Sequence, residues 1–169
     1  GIFFSVNVGD VTLKGIDGEI GYQPVDYLNF FASFSYVDSE LKNNFPNGNN
    51  GAILATKGNE LYETPKYQGA VRASWDITDQ LTAGIQGKFV GNRWTNLTNT
   101  EKAPGYSLWD LDVRYKMDAF GLKNTYLQAN VRNLFDERYL GDISTNTNGN
   151  GQFQPGYPRE FIVSLHAEF

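Results

Sequence analysis

The chain has 169 residues, of which 40 % are hydrophobic, 15 % aromatic and 20 % charged, and it carries a net charge of −5. That acidic balance (pI ≈ 4.8) argues against nucleic acid, whose binding is dominated by basic groups meeting phosphates, and zero Cys rules out disulfides and thiolate metal sites. No run approaches the ~18 consecutive apolar residues of a membrane-spanning helix; a membrane β-barrel stays open, because its ~10-residue alternating segments average to a hydrophilic sequence.

The chain opens on Gly1, without Met and without a signal peptide, and so reads as a mature chain or an excised piece. Residues 1–8 look like the tail of one strand and a short turn. Residues 11–22 read as a strand whose phase slips at Gly15: Val11 and Leu13 are odd, Ile16, Ile20 and Tyr22 even. A glycine at a phase slip predicts a β-bulge. Residues 23–26 form a tight turn around Pro24. Residues 27–38 alternate, with Leu28, Phe30, Ala32, Phe34 and Tyr36 against Asn29, Ser33 and Ser35.

A long polar stretch, residues 41–65, is marked as loop by its Asn-Gly pairs and prolines. Alternation resumes at 67–76 and, after a short connection, at 81–91. A second polar loop covers 92–105. Residues 106–117 give the clearest strand, in which Trp109, Leu111, Val113, Tyr115 and Met117 oppose Asp110, Asp112, Arg114 and Lys116. A short turn at 118–124 leads to a strand at 125–132, and a third long loop covers 140–157. The chain closes on a strand with Phe161, Val163, Leu165, Ala167 and Phe169 on one face, and Ser164, His166 and Glu168 on the other.

The fold class is all-β: an antiparallel up-and-down meander of seven or eight strands with no helical periodicity. Connections alternate long and short, so the short turns gather at one end and the long loops at the other. That is the pattern of an outer-membrane barrel segment, with tight periplasmic turns and extended external loops. Aromatics also sort by depth. Tyr22, Trp75, Tyr115 and Phe169 lie toward the short turns, and Tyr36, Tyr67 and Trp109 toward the loops, as two interfacial girdles would require. A soluble lipocalin-like barrel or β-sandwich also alternates, but it turns its apolar face inward and needs no sorting of loops by length. A complete eight-stranded barrel would use residues 1–8 as a strand, and these fall short of the ~9–11 residues needed to span.

The C-terminal third then resembles a known family. Asn130-Val131-Arg132-Asn133-Leu134-Phe135-Asp136-Glu137-Arg138-Tyr139, followed by Pro155-Gly156-Tyr157-Pro158-Arg159-Glu160-Phe161 and a terminal Phe169, is similar to the end of TonB-dependent outer-membrane receptors. Weaker likenesses are Lys14-Gly15-Ile16-Asp17-Gly18-Glu19 and Thr64-Pro65-Lys66-Tyr67. The resemblance implies a large plugged barrel in the bacterial outer membrane that imports a scarce nutrient such as a ferric siderophore. Residues 1–169 would be the C-terminal part of that barrel, without the plug. The partners it implies are the rest of the barrel and the plug, the TonB complex acting through the region upstream, the barrel-assembly machinery and the lipid bilayer. Phe169 would be the assembly signal.

Site chemistry is sparse: neither a catalytic group nor a cofactor is expected. By alternation Arg72, Asp110, Asp112, Arg114, Arg132 and His166 are the lumen-facing candidates. Asp110 and Asp112 read as members of a charge ladder with Arg114 and Lys116 rather than a catalytic pair, and the lone His166 as a polar wall residue. Phe45, Trp94, Tyr139 and Phe153 are the loop aromatics placed to meet a ligand. Residues 142–149 resemble a calcium loop, with the glycine two positions late for an EF-hand, and Asn96-Leu97-Thr98 matches a glycosylation sequon by chance.

Overall fold

The computed structural model describes residues 9–47, 50–117, 124–145 and 151–167. Its strands in chain order are β1 Val11–Val25, β2 Leu28–Leu41, β3 Phe45–Pro46, β4 Ile53–Leu54, β5 Tyr67–Asp76, β6 Leu81–Val90, β7 Arg93–Trp94, β8 Lys102–Ala103, β9 Tyr106–Lys116, β10 Tyr126–Arg132, β11 Leu140–Thr145, β12 Gly151–Pro155 and β13 Glu160–His166. Among the described residues there is no helix.

Seven of these strands form one antiparallel meander in the order β1-β2-β5-β6-β9-β10-β13. Each strand pairs with its neighbour in sequence once the long loops are set aside. The remaining strands are two-stranded ribbons, β3-β4, β7-β8 and β11-β12, one inside each long loop. The sequence reads those three stretches as plain loop. The ribbons are too short, or too rich in Asn and Gly, to announce themselves by alternation. Residues 1–8, the 118–123 turn and Phe169 lie outside the described residues.

Two expectations are overturned: Pro24 lies within β1, so the turn falls at residues 26–27 rather than 23–26, and Gly15 carries no bulge. The β1-β2 ladder runs unbroken from Val11↔Leu41 to Tyr22↔Phe30, with Gly15 opposite Val37, and the register shifts only between Tyr22 and Val25. The apolar phase therefore changes at Gly15 without a bulge. Near the loop end, Leu13 and Val11 stand opposite Ser39 and Leu41, which are buried by the loops. Val11 and Leu13 themselves stay exposed, by 40 % and 58 %, so the slip marks neither a break in pairing nor a change in their burial.

The two faces of the main sheet differ sharply. One carries Ile16, Ile20, Phe30, Phe34, Val71, Ile85, Val113, Leu127, Val163 and Leu165, aligned row by row across the ladders. Many of these are openly exposed, Ile16 by 71 % and Val163 by 71 %. In water, burying such side chains would be worth ~1.5–3 kcal/mol each; a sheet that leaves them outside is built for an apolar surrounding. The other face is mostly polar, with Phe31, Val37, Leu108 and Ile162 as apolar interruptions. Buried apolar side chains lie at the long-loop end instead: Leu41, Phe45, Val90, Ala103 and Ile143. The crown of loops has a core, while the wall beneath it has two exposed faces.

Candidate functional site

The polar face gathers the charged residues that alternation assigns to it. Arg72 on β5 reaches across β6 to Asp112 on β9, making two hydrogen bonds of 2.9 and 3.2 Å from Nη1 and Nη2 to the two carboxylate oxygens. The strand between them supplies Gly84 at the crossing point, where a Cβ would come within 2.6 Å of Arg72 Nη2 and 2.7 Å of Asp112 Oδ1. The glycine is thus the gap through which the two side chains meet. Gly84→Val should break this pair and cost about 1–3 kcal/mol, the ordinary penalty for an overpacked site. Urea unfolding of the full receptor in detergent measures it, and a loss of the same size in an Asp112→Ala background would detach the effect from the ion pair.

The other wall residues have partners that sequence spacing does not reveal. Asp110 accepts a hydrogen bond from the Asn133 amide at 2.9 Å. Arg114 donates twice to Gln128, at 3.2 and 3.0 Å, and lies 4.6 Å from the Tyr126 ring centroid. The other side of this cluster is His166, stacked on Tyr126 at 4.9 Å. Arg132 pairs with Glu160 at 3.9 Å. The ladder expected within β9 is therefore replaced by contacts between strands: Asp112 binds an arginine two strands away, and Arg114 binds a glutamine next door.

Above this wall the three long loops are tied together. The 41–66 loop meets the 91–105 loop through Glu60 N to Asn99 Oδ1 (2.7 Å), Asn99 Nδ2 to Glu60 O (3.0 Å) and Asn59 Nδ2 to Leu97 O (2.9 Å). Asn99 adopts φ 53° to do so, a left-handed conformation that Asn tolerates well. Arg93, only 5 % exposed, links the second loop to the third by donating from Nη2 to Leu140 O at 2.7 Å. Its guanidinium lies 5.5 Å from the Tyr106 ring, which packs on Tyr139 at 4.5 Å. Nothing in the sequence marks Arg93 out; an arginine in a polar loop reads as solvated.

A second knot sits where the last wall strands leave the sheet. Asn133, with φ 49° and 5 % exposure, accepts from Glu137 N at 2.8 Å and donates Nδ2 to Glu137 O and Tyr157 O at 2.9 and 3.0 Å. Asp136 accepts from Arg159 N at 3.0 Å, while Arg159 Nη1 reaches Leu134 O at 3.3 Å. These contacts join the two C-terminal motifs seen in the sequence. Gly156 completes the knot, because a Cβ there would fall 2.1 Å from Tyr139 Cζ.

The four loop aromatics part company. Phe45 is buried inside the first loop at 6 % exposure, its amide held by Thr56 Oγ1, so it packs the crown and offers no ring to a ligand. Trp94 donates Nε1 to Glu60 at 3.1 Å and is half-buried. Tyr139 lines a cleft of about 390 Å³ with Lys88, Tyr106, Asp142, Gln154 and Tyr157, while Phe153 is exposed on the β11-β12 ribbon. Asp142, Ile143 and Ser144 belong to strand β11 rather than a calcium loop, and residues 146–149 lie outside the described residues. Asn96 is buried, with Nδ2 bonded to Thr100 at 2.8 Å, a poor acceptor for a glycan.

Residues 1–134 match the family model described as TonB dependent receptor-like, beta-barrel. The chain is 29 % identical over 137 residues to the probable TonB-dependent siderophore receptor PiuA of Acinetobacter baumannii, covering 79 % of this chain and 18 % of that protein. It is 27 % identical over 144 residues to the ferrichrome outer membrane transporter/phage receptor of Escherichia coli, covering 83 % and 18 %. Among solved structures, the PiuA siderophore receptor superimposes with a TM-score of 0.78 at 25 % identity, over 94 % of this chain and 22 % of that one. The ferric citrate transporter FecA superimposes at 0.74 and 21 % identity, over 92 % and 24 %, which shows the shared fold. The chain thus spans about a fifth of the length of these relatives, which by name are transport receptors. It belongs to the TonB-dependent receptor β-barrel family and is a part of the bacterial outer membrane.

Proposed function

We propose that residues 1–169 are the C-terminal part of the barrel of a receptor that imports ferric siderophores with energy delivered through TonB. The observation that supports this best is the arrangement of a polar wall beneath a hydrogen-bonded crown of loops, with the exposed apolar face turned the other way. In this reading the apolar face meets lipid, and Arg72, Asp110, Asp112, Arg114, Arg132 and His166 line the lumen. The short turns are periplasmic and the crown is external. The remaining strands of the barrel close the two edges, β1 and β13, whose unpaired backbone groups lipid cannot satisfy. A plug domain and TonB complete the transporter, the barrel-assembly machinery inserts it by reading Phe169, and no catalytic step is involved. The siderophore class follows from the names of PiuA and the ferrichrome transporter.

The test is uptake of radio-iron siderophores by cells carrying the full receptor. Accumulation that disappears when TonB is deleted is the expected result, and uptake indifferent to TonB would refute the reading. The cleft at Tyr139 is the proposed vestibule contact. Tyr139→Ala should weaken binding of the transported chelate about 2- to 10-fold, the worth of one aromatic contact at about 0.5–1.5 kcal/mol; equal affinity in a titration of the purified receptor would remove Tyr139 from the site.

A further inference from the structure

Arg93 is 5 % exposed and its Nε has no hydrogen-bond partner. Among the described residues no carboxylate forms an ion pair with it. A buried cation satisfied so sparsely is costly, and a neutral donor such as glutamine could reach a loop carbonyl without that cost. A guanidinium offers two things together that a neutral donor lacks. It has N–H groups around its edge and a flat cationic face that stacks on an aromatic ring.

Arg93 uses both, and both lead to Tyr139. Its edge donates from Nη2 to the carbonyl of Leu140, the residue after Tyr139, at 2.7 Å. Its guanidinium carbon lies 5.5 Å from the centroid of the Tyr106 ring, and that ring packs on Tyr139 with centroids 4.5 Å apart. The contacts form a closed circuit from Arg93 to Leu140, Tyr139, Tyr106 and back to Arg93. Gly156 adds a further support. Its amide donates to Tyr139 O at 2.8 Å, and a Cβ there would overlap Tyr139 Cζ and both Cε carbons, so the end of the ring rests on bare backbone. Tyr106, Tyr139 and Gly156 line the cleft of about 390 Å³, whereas Arg93 is not part of the lining. Resting on the reading of that cleft as the vestibule contact, we propose that Arg93 is its positioning residue. It fixes Tyr139 through both backbone and ring, so the ring meets the chelate already ordered. A contact ordered beforehand loses less entropy on binding.

Two measurements on the full receptor test this. Tetranitromethane nitrates the Cε carbons of tyrosine; those of Tyr139 lie against Gly156, while Tyr157 is 75 % exposed and serves as the reference. With tandem mass spectrometry locating the nitro groups, Arg93→Lys should raise the Tyr139-to-Tyr157 ratio about threefold or more. Lysine keeps the charge and a donor but has no flat face. Tyr106→Leu cuts the circuit at its other contact and should act alike, and heat-modifiable gel mobility shows which variants are folded barrels. Uptake is then followed with a radio-iron trishydroxamate and a radio-iron triscatecholate. For whichever chelate accumulates, Arg93→Lys should raise the half-saturating concentration about two- to fivefold. A merely structural loss would lower the number of working receptors, and hence the maximal rate, without moving half-saturation. Arg93→Lys/Tyr139→Ala should be no worse than Tyr139→Ala, because the two act as one unit. An unchanged nitration ratio in the folded variants, or losses that add, overturns the proposal. Half-saturation unchanged by Tyr139→Ala removes the vestibule reading and the proposal with it. Half-saturation raised by Tyr139→Ala but unmoved by Arg93→Lys removes the proposal alone.

Discussion

Asn133→Ala is expected to destabilise the folded receptor by about 3 kcal/mol or more, one of the two largest single-residue effects in this chain. Truncation removes one acceptor and two donor contacts at a buried position, and each buried group left without a partner costs ~1–3 kcal/mol, not additively. The backbone contributes separately. At φ 49° Asn is among the residues that accept a left-handed conformation, and alanine is not. Asn133→Gly separates the two causes, since it relieves the backbone and keeps none of the side-chain bonds. Urea unfolding followed by tryptophan fluorescence should place the glycine variant above the alanine variant by about 1 kcal/mol and still well below wild type. A glycine variant as stable as wild type would mean that Asn133 supplies conformation rather than hydrogen bonds. The loss should be felt first in the crown, because Tyr157 and Glu137 are the groups released.

Val113→Arg is the second. Val113 lies on the exposed apolar face of β9, between Ala83 and Ala129 in the neighbouring strands. A charged side chain on the lipid face costs about 2–4 kcal/mol at the midplane and less toward the interface, so a loss of about 1–3 kcal/mol is expected here. Its neighbour Asp112 points the other way and serves as the comparison. Asp112→Asn keeps the hydrogen-bonding shape opposite Arg72 and removes a charge from a partly exposed pair, so it should cost less than about 1 kcal/mol. Both are measured by reversible unfolding of the full receptor in phospholipid vesicles. Similar losses from the two substitutions would reverse the proposed assignment of faces. Val113 stands in one row with Ala83, the third residue of the ten-residue β6, and with Trp75, so it lies between the middle of the span and the short-turn girdle.

Most of the wall was legible in the sequence, because a period of two is a direct print of a sheet with two different surroundings. The strand at residues 106–117 shows it well. Its alternation places Trp109 and Leu111 on one face and Asp110 and Asp112 on the other, as the ladders do. What failed were inferences that needed distance across strands. Asp112 was grouped with the nearest basic residues along the chain, Arg114 and Lys116, because a sequence displays neighbours along one strand only. Its partner Arg72 comes from 40 residues earlier. Gly15 misled because a change in apolar phase was read as a change in pairing, and the ladder runs through it unbroken. Phe45 was misplaced because an aromatic amid Asn and Gly looks exposed until the loop's own small core is known. Arg93 was missed altogether, and a buried loop arginine leaves no periodic trace. The family motifs performed better than any spacing argument, since Asn133 and Asp136 of the first motif touch Tyr157 and Arg159 of the second.

The Arg72–Asp112 contact over Gly84 has a consequence for assembly. A meander can slide one strand past its neighbours by two residues without exchanging its faces, so the apolar pattern alone does not penalise that error. Sliding β6 by two would put Thr82 or Gln86 where Gly84 now leaves a gap. The guanidinium and the carboxylate would then be held apart, each desolvated against a side chain it cannot use. The crossing therefore works as a gauge of alignment for three strands at once, accepting one registry and rejecting the nearest one that hydrophobicity would allow.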